Sequence, residues 1–285
     1  METRTEKINI LDLPGSLVDT AFDHISRYSV ALLRITTDKN IENMQLIGSG
    51  TLVIINNFYS ILTAEHVLAE IKPSDHLGLL TSFTGSPHRF KYDQNCLYIH
   101  KIAKGEDDSM GPDIGLIVLP QVDIGLLKAQ KSFFNIDKRK ERFSKSFLEK
   151  DRGFWFTCGF PGEWEIDLLT SSEFSSIKGY KALFGVSGIS KEYEASGYDY
   201  LEMTINYNTF NPELPVSFGG VSGSGVWQVP LIKSNNDKIE PEEYVFSGVV
   251  FYQTQVEENN CLIRCHGRRT IYFKVPELLS GVMNS

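Results

Sequence analysis

The stretch GSGTLVIINNFYSILTAEHV, residues 48–67, contains two apolar segments separated by a pair of asparagines. Both segments are rich in β-branched and aromatic residues, and glycine and asparagine bound them, which is typical of two strands joined by a tight turn. The stretch therefore predicts a β-hairpin. Its second strand runs into a short helical turn that begins after Thr63, so His66 is expected where a strand ends.

Segments of the same character recur along the chain, and long helical periodicity is nearly absent. We predict further strands at residues 29–35, 113–119, 153–160, 200–207, 224–229, 244–252 and 270–275. Helical patterns are confined to residues 12–27, the turn after Thr63 and the C-terminal PELLSGVM. The pattern predicts an all-β sandwich or barrel protein with a short C-terminal helix.

Composition excludes several classes of protein. Hydrophobic residues at 41% and charged residues at 22% describe an ordinary globular chain of 285 residues. With 36 acidic and 28 basic residues, the net charge of -8 argues against nucleic acid as a partner. The N-terminal residues lack the apolar core of a signal peptide, and no apolar stretch is long enough to span a membrane. We therefore expect no membrane partner.

The cysteines predict neither disulfides nor a metal site. Four of them, Cys96, Cys158, Cys261 and Cys265, are too few for a disulfide scaffold, which indicates reduced thiols and a cytoplasmic protein. Cys261, Cys265 and His266 form a C-x3-C-H pattern that matches no common zinc finger. We interpret them as strand residues beside a polar turn and expect no metal.

A basic segment divides the chain. Residues 128–152 carry nine Lys or Arg and four Asp or Glu, and such a run is typical of a solvated linker, with a docking surface for an acidic partner as the alternative. We predict an N-terminal extension at 1–27, a first β-domain at 28–127, the basic interdomain linker at 128–152, and a second β-domain with a C-terminal helix at 153–285.

Three motifs carry residues that together suit one reaction. His66 follows a strand, Asp113 begins the apolar run DIGLIVL, and Ser222 lies in GGVSGSGV, residues 219–226. Hydrolysis of an acyl bond by a serine needs a base for the hydroxyl proton, a carboxylate that fixes the imidazole tautomer, and donors for the developing oxyanion. A histidine, an aspartate and a serine within a glycine-rich turn supply that set.

In this order the motifs resemble the chymotrypsin-like (trypsin-like) serine peptidases, and in character the bacterial, disulfide-free members of the Deg type. The resemblance rests on TAEHV, DIGLIVL and GGVSGSGV, with GFPG at 159–162 and SGVVFY at 247–252 as weaker support, and covers about residues 28–280. It implies two six-stranded antiparallel β-barrels with the active site between them, and a serine endopeptidase that acts on a protein or peptide without a cofactor.

The resemblance also implies a role for each residue. His66 would be the general base, Asp113 its orienting acid and Ser222 the nucleophile, while the backbone N–H groups of Gly220 and Ser222 would form the oxyanion hole. The primary substrate pocket would begin at Val216 and be walled by the strand that carries Phe251, Tyr252 and Gln253. Because Val216 is not acidic, we expect a small or apolar residue before the scissile bond rather than Lys or Arg.

Two positions depart from the family pattern. Val221 stands where the secreted digestive members carry an acid that pairs with a new N-terminus, so activation by that route is not expected. Ser224 and Gly225 replace a common Gly-Pro, which implies a looser loop. We expect activity to be regulated by substrate, by an activating protein partner or by assembly.

The sequence also offers alternatives to these assignments. Asp107 and Asp108 are rival acids in a polar loop, and Ser224 is a rival nucleophile without a glycine two residues before it. An α/β-hydrolase esterase would use the order serine, acid, histidine, which Ser222, Asp237 or Glu242, and His266 satisfy formally. That fold requires a helix after the serine, where GVWQVP predicts a strand. A catalytically silent peptidase fold that acts as a binding module is the third interpretation.

Overall fold

The computed structural model describes residues 13–38, 41–72, 75–81, 88–145, 148–168, 177–180, 182–208, 214–233 and 238–283. The chain is mostly β, with 48% in strands against 24% in helices, and its sheets are built almost entirely from antiparallel pairs. The predicted β class is therefore confirmed, as is the short C-terminal helix.

The first sheet contains eight strands. Its order is β5-β4-β1-β2-β3-β7-β6, and β8 pairs with β2 in parallel. The predicted hairpin is its centre, because β2 and β3 pair from Thr51 with Leu62 to Ile55 with Phe58. The strands are β1 (Ser29–Asp38), β2 (Ile41–Ile55), β3 (Phe58–Thr63), β4 (His76–Leu80), β5 (Arg89–Asp93), β6 (Tyr98–Lys104), β7 (Asp113–Val118) and β8 (Phe134–Asn135).

The second sheet contains seven strands in the order β12-β9-β15-β18-β19-β14-β13. They are β9 (Phe154–Gly159), β12 (Leu183–Ser187), β13 (Ile189–Ala195), β14 (Tyr198–Asn206), β15 (Gly225–Val229), β18 (Val245–Gln253) and β19 (Asn260–His266). The described residues also form two separate two-stranded ribbons, β10 (Glu165–Leu168) with β11 (Ile177–Tyr180), and β16 (Leu231–Lys233) with β17 (Ile239–Pro241).

The strand pairing does not show the predicted pair of closed six-stranded barrels. The sheets have eight and seven strands, and among the described residues no pairing joins the two edge strands of either sheet. The sequence pattern did not indicate four strands of the first sheet, β4, β5, β6 and β8. The described residues form two large, mostly antiparallel sheets.

The described residues include five α-helices. They are α1 (Gly15–Ile25), α2 (Glu65–Ala69), α3 (Gln121–Lys128), α4 (Asp137–Lys145) and α5 (Val275–Met283). Of the helices in the described parts of the chain, none is both long enough and apolar enough to cross a membrane.

The predicted strand at residues 270–275 is wrong, because Thr270–Lys274 forms a π-helical turn that leads into α5. The Asp199 carboxylate accepts hydrogen bonds from the backbone N–H groups of Arg269 and Thr270 and from the Thr270 hydroxyl. A carboxylate that satisfies free N–H groups at the start of a helix favours helix over strand. A side chain about 70 residues away in sequence thus overrides the local β propensity.

One apolar core lies between the two sheets. It contains Val53 and Leu62 from the first sheet, Trp227 and Phe246 from the second, and the buried face of α1. That face is formed by Leu17, Ala21 and Ile25, which are spaced at successive turns of the helix. The two sheets are therefore packed against each other rather than joined only through the chain.

The basic segment 128–152 contributes to this core. Phe134, Ile136 and Phe143 are buried, and β8 and α4 both lie within the segment. On its surface Arg142 and Arg152 form ion pairs with Glu243 and Glu242, whereas Lys131 is buried and donates to the Ser26 carbonyl at 2.9 Å. The segment links the two sheets, and it also fills the space between them.

Phe134→Ala is expected to destabilise the protein strongly, since the ring packs against Trp227, Phe246 and Tyr28 at centroid distances of 5.1, 5.7 and 5.8 Å. Loss of a buried phenylalanine typically costs about 3–5 kcal/mol. Lys138→Ala, at an exposed position of α4, should change the unfolding free energy by less than about 0.5 kcal/mol. Urea denaturation measures both, and equal small effects would contradict the packing role of Phe134.

Candidate active site

The fold places His66 in the first turn of α2, directly after β3 ends at Thr63. Asp113 is the first residue of β7, the neighbour of β3 in the sheet. Because β3 and β7 are antiparallel and pair up to Thr63 with Gly115, the end of one lies beside the beginning of the other. Two residues that are 47 positions apart in sequence therefore meet at one edge of the sheet.

The contact between His66 and Asp113 is bidentate. Asp113 Oδ2 lies 2.5 Å from His66 Nδ1, and Asp113 Oδ1 accepts a hydrogen bond of 3.1 Å from the His66 backbone N–H. The carboxylate is buried, while the His66 side chain is 38% exposed. A carboxylate on Nδ1 places the proton on that nitrogen and leaves Nε2 as an acceptor on the exposed side of the ring.

The electrostatic surroundings favour the protonated form of His66. Burial disfavours the imidazolium, but the hydrogen bond to Asp113 and the charges of Asp113, Asp108 and Glu65 outweigh it, so the pKa of His66 is raised above its ordinary value of 6.5. Glu65 is itself buried, and its carboxylate lies 3.1 Å from Lys101 Nζ and 3.5 Å from Lys104 Nζ.

The rival acids do not hold the imidazole. Asp107 accepts hydrogen bonds from the backbone N–H and the hydroxyl of Ser109 within its own loop. Asp108 is exposed and acts on His66 only through its charge. Of the three predicted acids, Asp113 alone is in hydrogen-bond contact with His66.

Ser222 follows a tight turn whose shape depends on Gly220. The Val221 N–H donates to the Phe218 carbonyl at 2.8 Å, and Gly220 has a φ of 92°, which only glycine adopts easily. The Gly219 carbonyl accepts a hydrogen bond of 2.7 Å from the Gly162 N–H. Since a trans peptide points its C=O and N–H in opposite directions, the Gly220 N–H faces away from Gly162.

Ser49 on β2 holds this turn against the first sheet. Its hydroxyl donates to the Gly220 carbonyl at 2.7 Å and accepts from the Phe160 N–H at 3.0 Å. Its backbone N–H donates to the Ser222 carbonyl at 2.8 Å. The turn that carries Ser222 belongs to the second half of the chain, yet its main chain is fixed by a residue of the first.

Two donors in the turn are free. Among the described residues, neither the Gly220 N–H nor the Ser222 N–H has a hydrogen-bond acceptor. The two N–H groups are two residues apart on the same turn, as the predicted oxyanion hole requires. An unpaired pair of N–H groups beside a half-buried serine is a ready site for a negatively charged oxygen.

Val67, the residue after His66, and the main chain of Ser222 both lie close to Gly48. A β-carbon added to Gly48 would come within 2.6 Å of Val67, the residue after His66, and within 3.0 Å of the Ser222 carbonyl oxygen. Both groups approach so closely because Gly48 has no side chain. The Ser222 hydroxyl and the His66 ring, both of which the structure describes, are not joined by a hydrogen bond.

The rival nucleophile and the esterase set are arranged differently. Ser224 is completely buried, and its hydroxyl has no partner among the described residues. Glu242 forms an ion pair with Arg152, and His266 is buried against the backbone of Asp113. Asp237 lies outside the described residues.

The predicted substrate pocket is crossed by a side chain. The Gln253 carboxamide accepts a hydrogen bond of 2.7 Å from the Phe218 N–H and donates one of 3.1 Å to the Val216 carbonyl. Both carboxylate oxygens of Glu163 accept from the Val216 and Ser217 N–H groups at 2.9 Å. The segment that precedes Ser222 is thus clamped from two sides, and Gln253 joins it to β18.

The other predicted pocket residues differ in exposure. Val216 is 67% exposed, whereas Phe251 is buried and packs its ring against Tyr200 and His266. Tyr252 is half-buried beneath the Arg264 guanidinium. Phe251 therefore faces the inside of the second sheet, on the side of Asp113, rather than the space between Val216 and Gln253.

A cavity of about 340 Å³ lies elsewhere and is lined by Trp155, Tyr193, Asp199 and Arg268 among others. None of the predicted site residues lines it. Within the described parts of the chain no cluster of three His, Cys, Asp or Glu side chains is arranged to hold a metal ion. Cys261 and Cys265 lie on β19, as the strand interpretation expected, and His266 is the last residue of that strand.

Three contributors to the site were not identified from the sequence. Ser49 and Glu163 act on the Ser222 turn through backbone groups, and no local pattern distinguishes them from other polar residues. His266 was considered only as a metal ligand and as the histidine of the esterase alternative. The one sequence signal was its position at the end of CLIRCH, residues 261–266, because a histidine in a mostly apolar segment is expected to be buried and hydrogen-bonded.

Comparison with known proteins adds no assignment, since no protein-family model matches the chain and no curated protein matches its sequence.

Gly220→Ala is expected to distort the turn before Ser222. An added β-carbon would lie 2.5 Å from the Phe160 carbonyl oxygen, and a φ of 92° strains any L side chain, so we expect a loss of about 1–3 kcal/mol in unfolding free energy. Gly219→Ala is the matched control, because its nearest neighbour is the Ser217 hydroxyl at 3.1 Å. Equal stability of the two variants in thermal denaturation would contradict this account of the turn.

Proposed function

We propose that the chain is a serine endopeptidase that cleaves peptide bonds through an acyl-enzyme intermediate. The observation that carries the proposal is the buried Asp113 carboxylate bonded to both the Nδ1 and the backbone N–H of His66, next to a turn that presents Ser222 with two free N–H donors. Base, orienting acid, nucleophile and oxyanion donors are the parts that acyl transfer by serine requires.

Acylation follows from the roles of these groups. His66 Nε2 accepts the proton of the Ser222 hydroxyl as Oγ attacks the peptide carbonyl carbon, and the carbonyl oxygen becomes an oxyanion. The Gly220 and Ser222 N–H groups donate to that oxyanion, and Asp113 stabilises the imidazolium. His66 then transfers the proton to the leaving amine nitrogen as the C–N bond breaks.

Deacylation repeats the sequence with water. His66 removes a proton from water, the resulting hydroxyl attacks the ester carbonyl, and the same N–H groups receive the second oxyanion. The C–Oγ bond breaks, Ser222 recovers its proton from His66, and the carboxylic acid product leaves. No cofactor takes part in either step.

We further propose that each sheet corresponds to one β-barrel of a two-barrel peptidase fold. Ser49 supports this arrangement, because it bonds the first sheet to the Ser222 turn and so sets the site between the two sheets. His66 and Asp113 come from the first sheet, and Ser222 from the second, which is the division that the resemblance implies.

The bridge made by Gln253 suggests the substrate class. If the gap between the Val216 segment and β18 receives the side chain before the scissile bond, the Gln253 carboxamide already fills part of it. We therefore propose that the enzyme accepts small residues such as Gly, Ala or Ser at that position.

A second candidate function is a peptidase-fold binding module. The observation that favours it is that the Ser222 hydroxyl is not hydrogen-bonded to His66 in the free chain. Catalytic hydrogen bonds often form only in the complex with substrate, so the same observation also fits an enzyme that substrate, a partner or assembly activates.

Ser222→Ala is expected to abolish labelling by a fluorophosphonate probe, which bonds covalently to an activated serine, and to remove peptidase activity. Ser224→Ala is the matched control and should label as the wild type does, since that hydroxyl is buried. Asp113→Asn should lower kcat by about ten-thousand-fold. If the folded wild-type protein is not labelled by the probe even when peptides or candidate partners are present, the binding module is favoured.

Gln253→Gly is expected to widen substrate choice. Removing the bridging carboxamide should raise the ratio of kcat/KM for peptides with Leu or Phe before the scissile bond to that for peptides with Ala there. We expect an increase of about ten-fold or more, since a single methylene group in a pocket already has an effect of that size. Gln255→Gly makes the same chemical change at an exposed position and should leave the ratio unaltered. An unchanged ratio in the Gln253 variant would overturn the proposed substrate class.

A further inference from the structure

His266 ends β19 in the second sheet and is completely buried. Its ring is enclosed by the rings of Tyr198, Tyr200 and Phe251, at centroid distances of 5.9, 5.2 and 4.9 Å. A site surrounded by aromatic rings would be filled at lower cost by an apolar side chain, because a buried imidazole must give up its hydrogen bonds to water. Packing alone does not explain a histidine here.

The polar contact of His266 is the main chain of Asp113. Its Nε2 lies 3.0 Å from the Asp113 nitrogen and 3.1 Å from the Asp113 carbonyl oxygen. The neighbouring strand β3 pairs with β7 only as far as Gly115, so it does not reach the backbone groups of Asp113. The His266 ring takes the place that a strand partner would otherwise occupy.

We infer that His266 is a positioning residue for the His66–Asp113 pair, in which its Nε2 fixes the Asp113 backbone and thereby the direction of the Asp113 carboxylate. This inference rests on the proposed function. The carboxylate is two bonds from the main chain that His266 holds, and its Oδ2 must stay within 2.5 Å of His66 Nδ1. A small rotation of the Asp113 backbone would lengthen that contact.

The charge state of His266 suits this role. Burial lowers its pKa to about 4, against the opposing charges of Asp113 and Asp199, so the ring is neutral near pH 7. A neutral ring makes one hydrogen bond to Asp113 in either tautomer, as acceptor from the N–H or as donor to the carbonyl. The other nitrogen, Nδ1, has no hydrogen-bond partner among the described residues.

The cost of that unpartnered nitrogen supports the inference. A buried polar atom without a partner destabilises the fold, and natural cores contain few of them. The His266 Nδ1 atom is unpaired among the described residues, while Nε2 contacts the backbone of Asp113, whose carboxylate is hydrogen-bonded to His66. A histidine at this position is therefore best explained by its hydrogen bond to the Asp113 backbone.

The test compares three substitutions by NMR titration of the His66 ring in the full chain. In His266→Phe, which keeps an aromatic ring without nitrogen atoms, the pKa of His66 should fall, because the carboxylate that raises it is no longer held. In His266→Gln, whose carboxamide can donate or accept, the pKa of His66 should stay near the wild-type value. Ile263→Ala, a buried change on the same strand, should destabilise the protein and leave the pKa of His66 unchanged.

Kinetics provide the second readout. His266→Phe should lower kcat by about ten-fold or more with little change in KM, and His266→Gln should recover most of it, as expected for a group that orients a catalytic residue. The acid limb of the kcat/KM profile should shift to lower pH in the Phe variant, in the direction of the NMR change. If His266→Phe does not fold, His266→Leu makes the same comparison with a smaller side chain.

Two outcomes would overturn the inference. One is an unchanged pKa of His66 in a folded Phe or Leu variant, and the other is an equal fall in the Ile263→Ala control. The NMR titration needs no substrate, so a chain that hydrolyses nothing would contradict the proposed function while the effect of His266 on His66 is still measured.

Discussion

The site depends on Ser49, a completely buried residue of the central strand of the first sheet. Its hydroxyl and backbone N–H together hold three points of the second half of the chain, the Phe160 N–H and the carbonyls of Gly220 and Ser222. Its own carbonyl accepts from the Thr63 hydroxyl at 2.8 Å, three residues before His66. One residue therefore sets the distance between the strand that delivers His66 and the turn that delivers Ser222.

Electrostatics at the site follow from the same packing. Burial of the Asp113 carboxylate would be costly without partners, and the His66 ring and backbone N–H supply them. Glu65 adds a second buried carboxylate, which Lys101 and Lys104 on β6 approach from the surface. The negative charges around His66 raise its pKa, so a proton taken from a nucleophile would be held more firmly than by a free imidazole.

The sequence was sufficient for features that depend on local chemistry. The two asparagines of the hairpin do adopt positive φ, at 51° and 65°, and the strands on either side pair as their residue types predict. Asp113 could be selected over Asp107 and Asp108 because it alone leads directly into an apolar run, and it is the acid in contact with His66.

Features that depend on distant contacts could not be predicted. Residues 270–275 have strand propensity, but the Asp199 carboxylate turns them into the start of a helix. The basic segment reads as solvated because charges outnumber its apolar residues, while Phe134, Ile136 and Phe143 are spaced irregularly and are buried by both sheets. The hydrogen-bond partner of His266 could not be predicted either, because Asp113 lies 153 residues earlier in the chain.

Strand β18 connects the parts of the site that come from the second sheet. Val250 exchanges backbone hydrogen bonds with Gly223 and Ser224, beside the Ser222 turn. Phe251 packs on His266, which meets Asp113, and Gln253 bonds the segment that leads into the turn. Three residues of this strand, Val250, Phe251 and Gln253, thus reach the Ser222 turn, the His266 ring that contacts Asp113, and the predicted substrate pocket. A shift of this strand would change all three together, so under the proposed function it would give substrate, a partner or assembly a single physical route by which to regulate the site.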